Sequence, residues 1–141
     1  MVPLGSAWDH DQVNQRRVGL LCETRPPPHM RGALVLDDTG DCKDGTATAH
    51  VARQYLGSVG KIDNGIVAVT SLWADERCYW PVHAVPYTPA LRLPAGKRDP
   101  GFKTKPQLAV ELVRAAARPA SGSGRWWPTV STATTPASPT R

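Results

Sequence analysis

Apolar positions along the chain come in short bursts, and the bursts differ in period. Residues 6–23, SAWDHDQVNQRRVGLLCE, are mostly polar, with Val13, Val18, Leu20 and Leu21 as the apolar positions of a helix-like portion. Arg25-Pro-Pro-Pro-His29 predicts its end, because proline lacks a donor and restricts the residue before it. Gly32–Leu36 is a short apolar run that predicts a buried strand, closed by a turn at Thr39-Gly40. From there to Gly65 the chain is glycine-rich without a regular period, and predicts a loop. GIVAVTSLWA and RCYWPVHAVPY are β-rich runs around the tight-turn sequence ADER, which predicts a hairpin with Pro81 tolerated at an edge.

After a loop with Pro94, Gly96 and Pro100, residues 105–117 (KPQLAVELVRAAA) change to a helical period. Leu108, Ala109, Leu112, Val113 and Ala116 share one face, Pro106 suits the first turn, and Pro119 ends the helix. Residues 119–141 hold no acid and no long aliphatic beyond Val130, and are loaded with Pro, Ser, Thr and Ala. Such a segment buries too little apolar surface to offset its ordering entropy, which predicts disorder. The expected order is therefore strand, loop, strand, strand, helix and tail, an α/β class. Three regions follow: a helical end and linker over 1–30, a core over 31–118, and the tail from 119 to 141. No internal repeat is visible.

The 141 residues have room for one domain, and nothing in them approaches the roughly 18 apolar residues that a membrane span needs. The amino terminus, MVPLGSAWDHDQ, lacks the basic-then-apolar order of a secretory signal, so the expected setting is cytoplasmic. Cys22, Cys42 and Cys78 have neither zinc-ligand spacing nor a disulfide framework. The formal net charge of +5 misleads until it is divided. All 12 acids lie at or before Glu111 and four arginines follow it, so the body carries only about +1 and whole-chain basicity is weak support for a nucleic-acid surface.

The chemistry-bearing stretch is ALVLDDTGDCKDG, Ala33–Gly45, where an apolar run meets two adjacent aspartates. Two readings are open. Asp37 or Asp38 ligates a hard divalent cation from a strand end, which would also relieve the repulsion between neighbouring like charges. Alternatively one of them accepts hydrogen bonds from loop N–H groups in an ordinary turn. His10, His29, His50 and His83 are dispersed without metal-ligand spacing, no G-x-S-x-G elbow occurs, and GSVGKIDNG lacks the phosphate-loop spacing. Trp73, Tyr79 and Trp80 are expected to fill the sheet core.

The run LVLDDTGDCKDGTATAHVARQYLGSVGKIDNGIVAVTSLWADER, with WPVHAVPYTP and FKTKPQLAVELV after it, resembles the core of bacterial insertion-sequence transposases of the DDE superfamily, from about Trp8 to Arg118. DDTG, the VARQYLG segment with its GK and NG, and the FKTKPQLA helix entry carry the likeness together. The resemblance implies an RNase H-like fold, here partial, with three strands and a helix present and the fourth strand and later elements missing. It maps the first catalytic aspartate onto Asp37, with Asp38 its neighbour and alternative, and implies Mg2+ or Mn2+ as the metal. The implied reaction nicks DNA at an element's end and joins the freed 3′-hydroxyl to target DNA, with two cations serving attacking and leaving oxygens. In that setting Lys43, Arg53, Lys61, Lys103 and Lys105 are candidates for phosphate contacts, although a solvated face explains each equally well.

The same resemblance implies two further carboxylates, one at the end of a fourth strand and one later. No acid follows Glu111, which sits mid-helix and matches neither, so this chain is expected to be inactive. The tail suggests a cause. Because tryptophan has one codon, RWWPTVSTAT read one base earlier permits Val-Val-Ala-Asp-Cys-Leu-Tyr-Gly, which matches the family's V-V-A-D-x-x-Y-G fourth-strand motif just after this helix. A frameshift near residues 115–125 is the resulting expectation. The helical region that precedes the family's core is expected to be represented only by its last piece, SAWDHDQVN. The rivals are a non-enzymatic DNA- or protein-binding remnant, and an active enzyme whose missing carboxylates come from a second chain.

Overall fold

The computed structural model describes residues 9–24 and 32–117. They form a helix α1 (His10–Thr24), strands β1 (Ala33–Cys42), β2 (Ala52–Leu56), β3 (Lys61–Ala74) and β4 (Tyr79–Pro86), and a second helix α2 (Lys105–Ala116), with 3₁₀ turns at Ala90–Arg92 and Gly96–Arg98. The predicted proline stop, His29, the tail and its shifted-frame motif lie outside the described residues.

β3 organises the sheet. β1 pairs antiparallel along the whole of one edge, from Ala33 opposite Ala74 to Cys42 opposite Gly65. β2 and β4 share the other edge, β2 against Lys61–Gly65 and β4 against Ala68–Ala74, again antiparallel, with a register shift between Ser71 and Leu72. The β3–β4 hairpin appears where the sequence predicts it. Asp75 closes its turn, its carboxylate accepting from the N–H groups of Arg77 and Cys78 at 2.7 and 3.0 Å. Among the described residues β4 has no partner on its far side, which is why Pro81, lacking a donor, is tolerated there.

Alternation along β3 sends Gly65, Val67, Val69, Ser71 and Trp73 inward. Trp73, Trp80, Val82 and Ala116 form one buried cluster, with Val18 of α1 and Leu34 against it; Val69, Leu108 and Leu112 form the next, with Val85 and Tyr87 alongside. α2 thus covers one face with Leu108, Leu112 and Ala116, the spacing its sequence predicts. α1 starts at Asp9, whose carboxylate accepts from the N–H groups of Asp11 and Gln12 at 3.0 Å each. It docks on β4 through Arg17, which donates to the carbonyls of Pro81 (2.8 Å) and Val82.

Four expectations differ. β1 does not end at the aspartates: the strand continues to Cys42, and Thr39-Gly40 is strand rather than turn. Nor is β1 buried: Val35 and Leu36 are 43% and 37% exposed, because β1 is an edge strand among the described residues and Val35 lies on the face that α2 does not cover. The expected loop contains β2 and the start of β3, joined by a tight turn in which Gly60 takes a φ of +67° and donates to the Leu56 carbonyl at 2.9 Å. Tyr79 is 74% exposed, whereas Trp73 and Trp80 are buried as predicted; neighbours on a strand face opposite sides, so Trp80 inside puts Tyr79 outside.

Candidate functional site

The glycines that punctuate the DDTG and IDNG stretches make β1 what it is. A Cβ on Gly65 would lie 2.4 Å from the Asp41 carbonyl oxygen and 2.8 Å from a Leu56 methyl, and one on Gly40 would lie 2.8 Å from the other Leu56 methyl. Fully buried Leu56 folds over both, and Ser58 donates to the Gly40 carbonyl at 2.6 Å. This close approach locks the β2–β3 hairpin onto the far end of β1, leaving Asp37 and Asp38 mid-strand on a rigid ladder.

Asp38 is opposite Val69, on the face that α2 covers, and Asp37 is opposite Thr70, on the other face. Their surroundings differ accordingly. The Asp37 carboxylate accepts from the N–H of Asp38 at 2.8 Å, and its backbone carbonyl accepts from the Thr70 hydroxyl at 3.2 Å. The Asp38 carboxylate accepts from the Lys105 ammonium, an ion pair that ties the middle of β1 to the first residue of α2. That ammonium also stands 5.8 Å from the centre of the Tyr87 ring. A shallow, open depression of about 270 Å³ lies here, with Asp37, Asp38 and Lys105 at its border and Leu36, Val69 and Ala109 as its apolar part.

Carboxylate oxygens are the donors a hard divalent cation prefers, and magnesium is commonly held by one or two carboxylates together with waters and substrate phosphates. Asp37 and Asp38 face opposite sides of β1, so only one of the two carboxylates at a time could serve in such a set. Among the described residues no group of three or more His, Cys, Asp or Glu side chains comes together. Glu111 is directed elsewhere, to Lys103 at 2.8 Å.

The five basic candidates do not form one patch. Lys43, Arg53 and Lys61 gather at the β2–β3 end: Arg53 is opposite Asn64, and the Lys43 N–H donates to the Asn64 carbonyl at 3.0 Å. Lys103 and Lys105 stand at the start of α2. Each lysine already has a carboxylate: Asp41 for Lys43 (3.0 Å), Asp63 for Lys61 (2.8 Å), Glu111 for Lys103 (2.8 Å) and Asp38 for Lys105. Lys61 and Asp63 shift one another in the usual senses: their hydrogen bond raises the pKa of the ammonium and lowers that of the carboxyl. Arg53 has no such partner among the described residues. The Thr104–Gln107 capping box, which sets where α2 begins and so where Lys105 stands, has a signal in the sequence, Thr-x-x-Gln just before the helical period. The convergence of Lys105, Tyr87 and Asp38 had no sequence signal, since it joins residues far apart in the chain.

A family described as DDE superfamily endonuclease matches residues 2–122, most of the chain. The chain belongs to the DDE superfamily. A relative from Microchaete diplosiphon, named "Probable transposase for insertion sequence element IS701", is 37% identical over 112 residues. That match takes in 77% of this chain and 27% of the relative, so the chain spans about a quarter of the length of the relative it matches. No solved structure matches. The resemblance to insertion-sequence transposases of the DDE superfamily is thereby borne out. Among the described residues no helix is long and apolar enough to cross a membrane.

Proposed function

We propose that this chain is part of the catalytic core of a transposase that cuts and joins DNA at insertion-sequence ends by metal-dependent phosphodiester hydrolysis and strand transfer. The observation that carries the reading is the DDE family match over residues 2–122, in which a mid-strand carboxylate pair borders an open depression. Four antiparallel strands followed by a helix on one face support a partial RNase H-like core. Asp37 takes the role of the first catalytic aspartate and would offer oxygen donors to Mg2+ or Mn2+, with Asp38 its neighbour and alternative. Such an ion, when bound, stabilises the charge that builds up on phosphate and on the attacking and leaving oxygens. The chain's own part is to hold those carboxylates rigidly on β1, with Arg53, which has no carboxylate partner among the described residues, the best placed of the basic candidates to meet a DNA phosphate. The setting is the bacterial cytoplasm, with DNA as partner.

By itself the chain is proposed to be inactive, because paired-cation chemistry takes converging carboxylates and the described residues bring no third one to this pair. Purified chain incubated with supercoiled DNA and Mg2+ or Mn2+ is expected to produce no nicks above buffer. Metal-dependent nicking abolished by Asp37→Asn would overturn the inactivity while supporting the site. The frameshift near residues 115–125 is proposed as the reason, and the nucleotide sequence tests it. A shifted frame continuing into Val-Val-Ala-Asp-x-x-Tyr-Gly is expected, and a frame that breaks off before Asp-x-x-Tyr-Gly refutes it. The second reading, a protein-binding remnant, is favoured by the exposed apolar residues Val35 and Leu36 on β1, whose outer edge is open among the described residues. It predicts no DNA retention at low salt, whereas a phosphate binder loses affinity steeply as salt rises.

A further inference from the structure

Asn64 is followed by Gly65, the pairing in which a backbone nitrogen is least hindered from attacking the side-chain amide before it; the other asparagine, Asn14, precedes a glutamine. The fold requires both residues of this pair. A Cβ at position 65 would lie 2.4 Å from the Asp41 carbonyl oxygen and 2.8 Å from a Leu56 methyl, so only glycine fits. Asn64 in turn anchors the loop that follows β1. Its Nδ2 donates to the Lys43 carbonyl and, at 3.1 Å, to that of Gly45, while its own carbonyl accepts from the Lys43 N–H at 3.0 Å. Packing and loop anchoring together set a reactive pair side by side.

The same contacts keep it from reacting. Attack needs the Gly65 nitrogen to swing onto the Asn64 Cγ, which takes the backbone between them out of extended geometry. β3 is paired on both sides at this point: Gly65 stands opposite Cys42 of β1 and Ala52 of β2, and Asn64 opposite Arg53. Gly65 is buried, and the Asn64 amide is held by the Lys43 and Gly45 carbonyls.

We infer that Asn64-Gly65 is a modification site gated by the fold, which deamidates when the β2–β3 hairpin opens and is spared while the hairpin is closed. In that step the Gly65 nitrogen bonds to the Asn64 Cγ and gives up its proton, and the side-chain amide leaves as ammonia, forming a succinimide. One water then opens the ring to aspartate or to isoaspartate. No oxidant, reductant or cofactor takes part. Either product unmakes the anchor, because a carboxylate has no N–H for the two carbonyls and adds negative charge next to Asp63. Isoaspartate also lengthens the β3 backbone by one carbon where β1, β2 and β3 meet, which disturbs the register on both sides. An opened chain that has reacted therefore does not close as before.

The test follows the full chain by peptide mass spectrometry, in mildly alkaline native buffer and in denaturing urea at the same pH and temperature. Replacement of the Asn64 side-chain NH2 by OH is expected to be at least about ten-fold slower in native buffer, because reaction through an open state is slowed by the small fraction of time spent open. Equal rates in the two media would overturn the gate. The consequence is read in Asn64→Asp by amide hydrogen exchange. Residues 43–51 are expected to exchange at least about ten-fold faster than in wild type, while residues 108–116 of α2 keep their protection. Exchange raised alike in both stretches, or in neither, would overturn the local anchor. The rate comparison on wild type decides the gate however that variant folds.

Discussion

Leu56 shows how single residues shape this site without touching it. Its side chain packs into the space left by Gly40 of β1 and Gly65 of β3, and any Cβ there meets either that side chain or the Asp41 carbonyl. Gly65→Ala is therefore expected to destabilise the chain by about 1–3 kcal/mol, the usual penalty for overpacking where backbone must shift. Gly45→Ala, whose Cβ would meet nothing within 4 Å, is expected to change stability by less than about 0.5 kcal/mol. Urea midpoints of the two variants, compared at constant slope, check this; equal midpoints would remove the packing account of these glycines. The motif glycines were readable in sequence, but their reason was not. It depends on a leucine from a strand that the irregular pattern around it concealed.

At the scale of the element, α2 is the piece whose start matters most. Its first residue carries the ammonium on Asp38, so a helix that begins one turn late would place that charge elsewhere. Thr104 accepts from the Gln107 N–H, and the Gln107 side chain accepts from the Thr104 N–H at 2.8 Å, satisfying one donor each way. Thr104→Ala is expected to lower stability by about 1 kcal/mol, which thermal melts read as a drop of several degrees. A variant melting at the wild-type temperature would show that packing of Leu108, Leu112 and Ala116 alone sets the helix start. The helical face was legible beforehand because three turns of 3.6-residue period repeat it. β1 was legible only in part: the apolar run marked its first half, while the polar second half is strand because β3 supplies hydrogen-bond partners all along it.

At the scale of the whole molecule, the seam between α1 and the sheet holds a histidine that responds to acid. His83 of β4 has its pKa lowered, chiefly by burial and then by the nearby Arg17 of α1, with Asp11 of α1 opposing. Its Nδ1 is buried without a hydrogen-bond partner among the described residues. A histidine depressed in the folded state is protonated first in the unfolded state, so stability is full above the ordinary value of about 6.5 and falls as pH drops below it, levelling off under the folded-state value. His83→Gln is expected to flatten that part of the pH–stability curve, followed by urea unfolding from pH 8 to pH 5. An unchanged slope would assign the response to other groups. At this scale too, the sheet's organisation becomes plain: one long strand, β3, is shared by three partners, and β1 stands at the edge with Val35 and Leu36 uncovered among the described residues.

The sequence by itself determined the β3–β4 hairpin, the face of α2, the burial of Trp73 and Trp80 and, through its motifs, the family. All of these rest on local periods or on short signatures, which neighbouring residues impose on one another without help from the rest of the chain. Tertiary structure alone decided that the aspartates sit in mid-strand on opposite faces, that Leu56 closes over two glycines, and that Lys105 neutralises Asp38. Each of those depends on which segments come to lie side by side, and pairing across tens of residues is set by the balance of packing, backbone hydrogen bonds and loop closure over the whole fold, which no local pattern records.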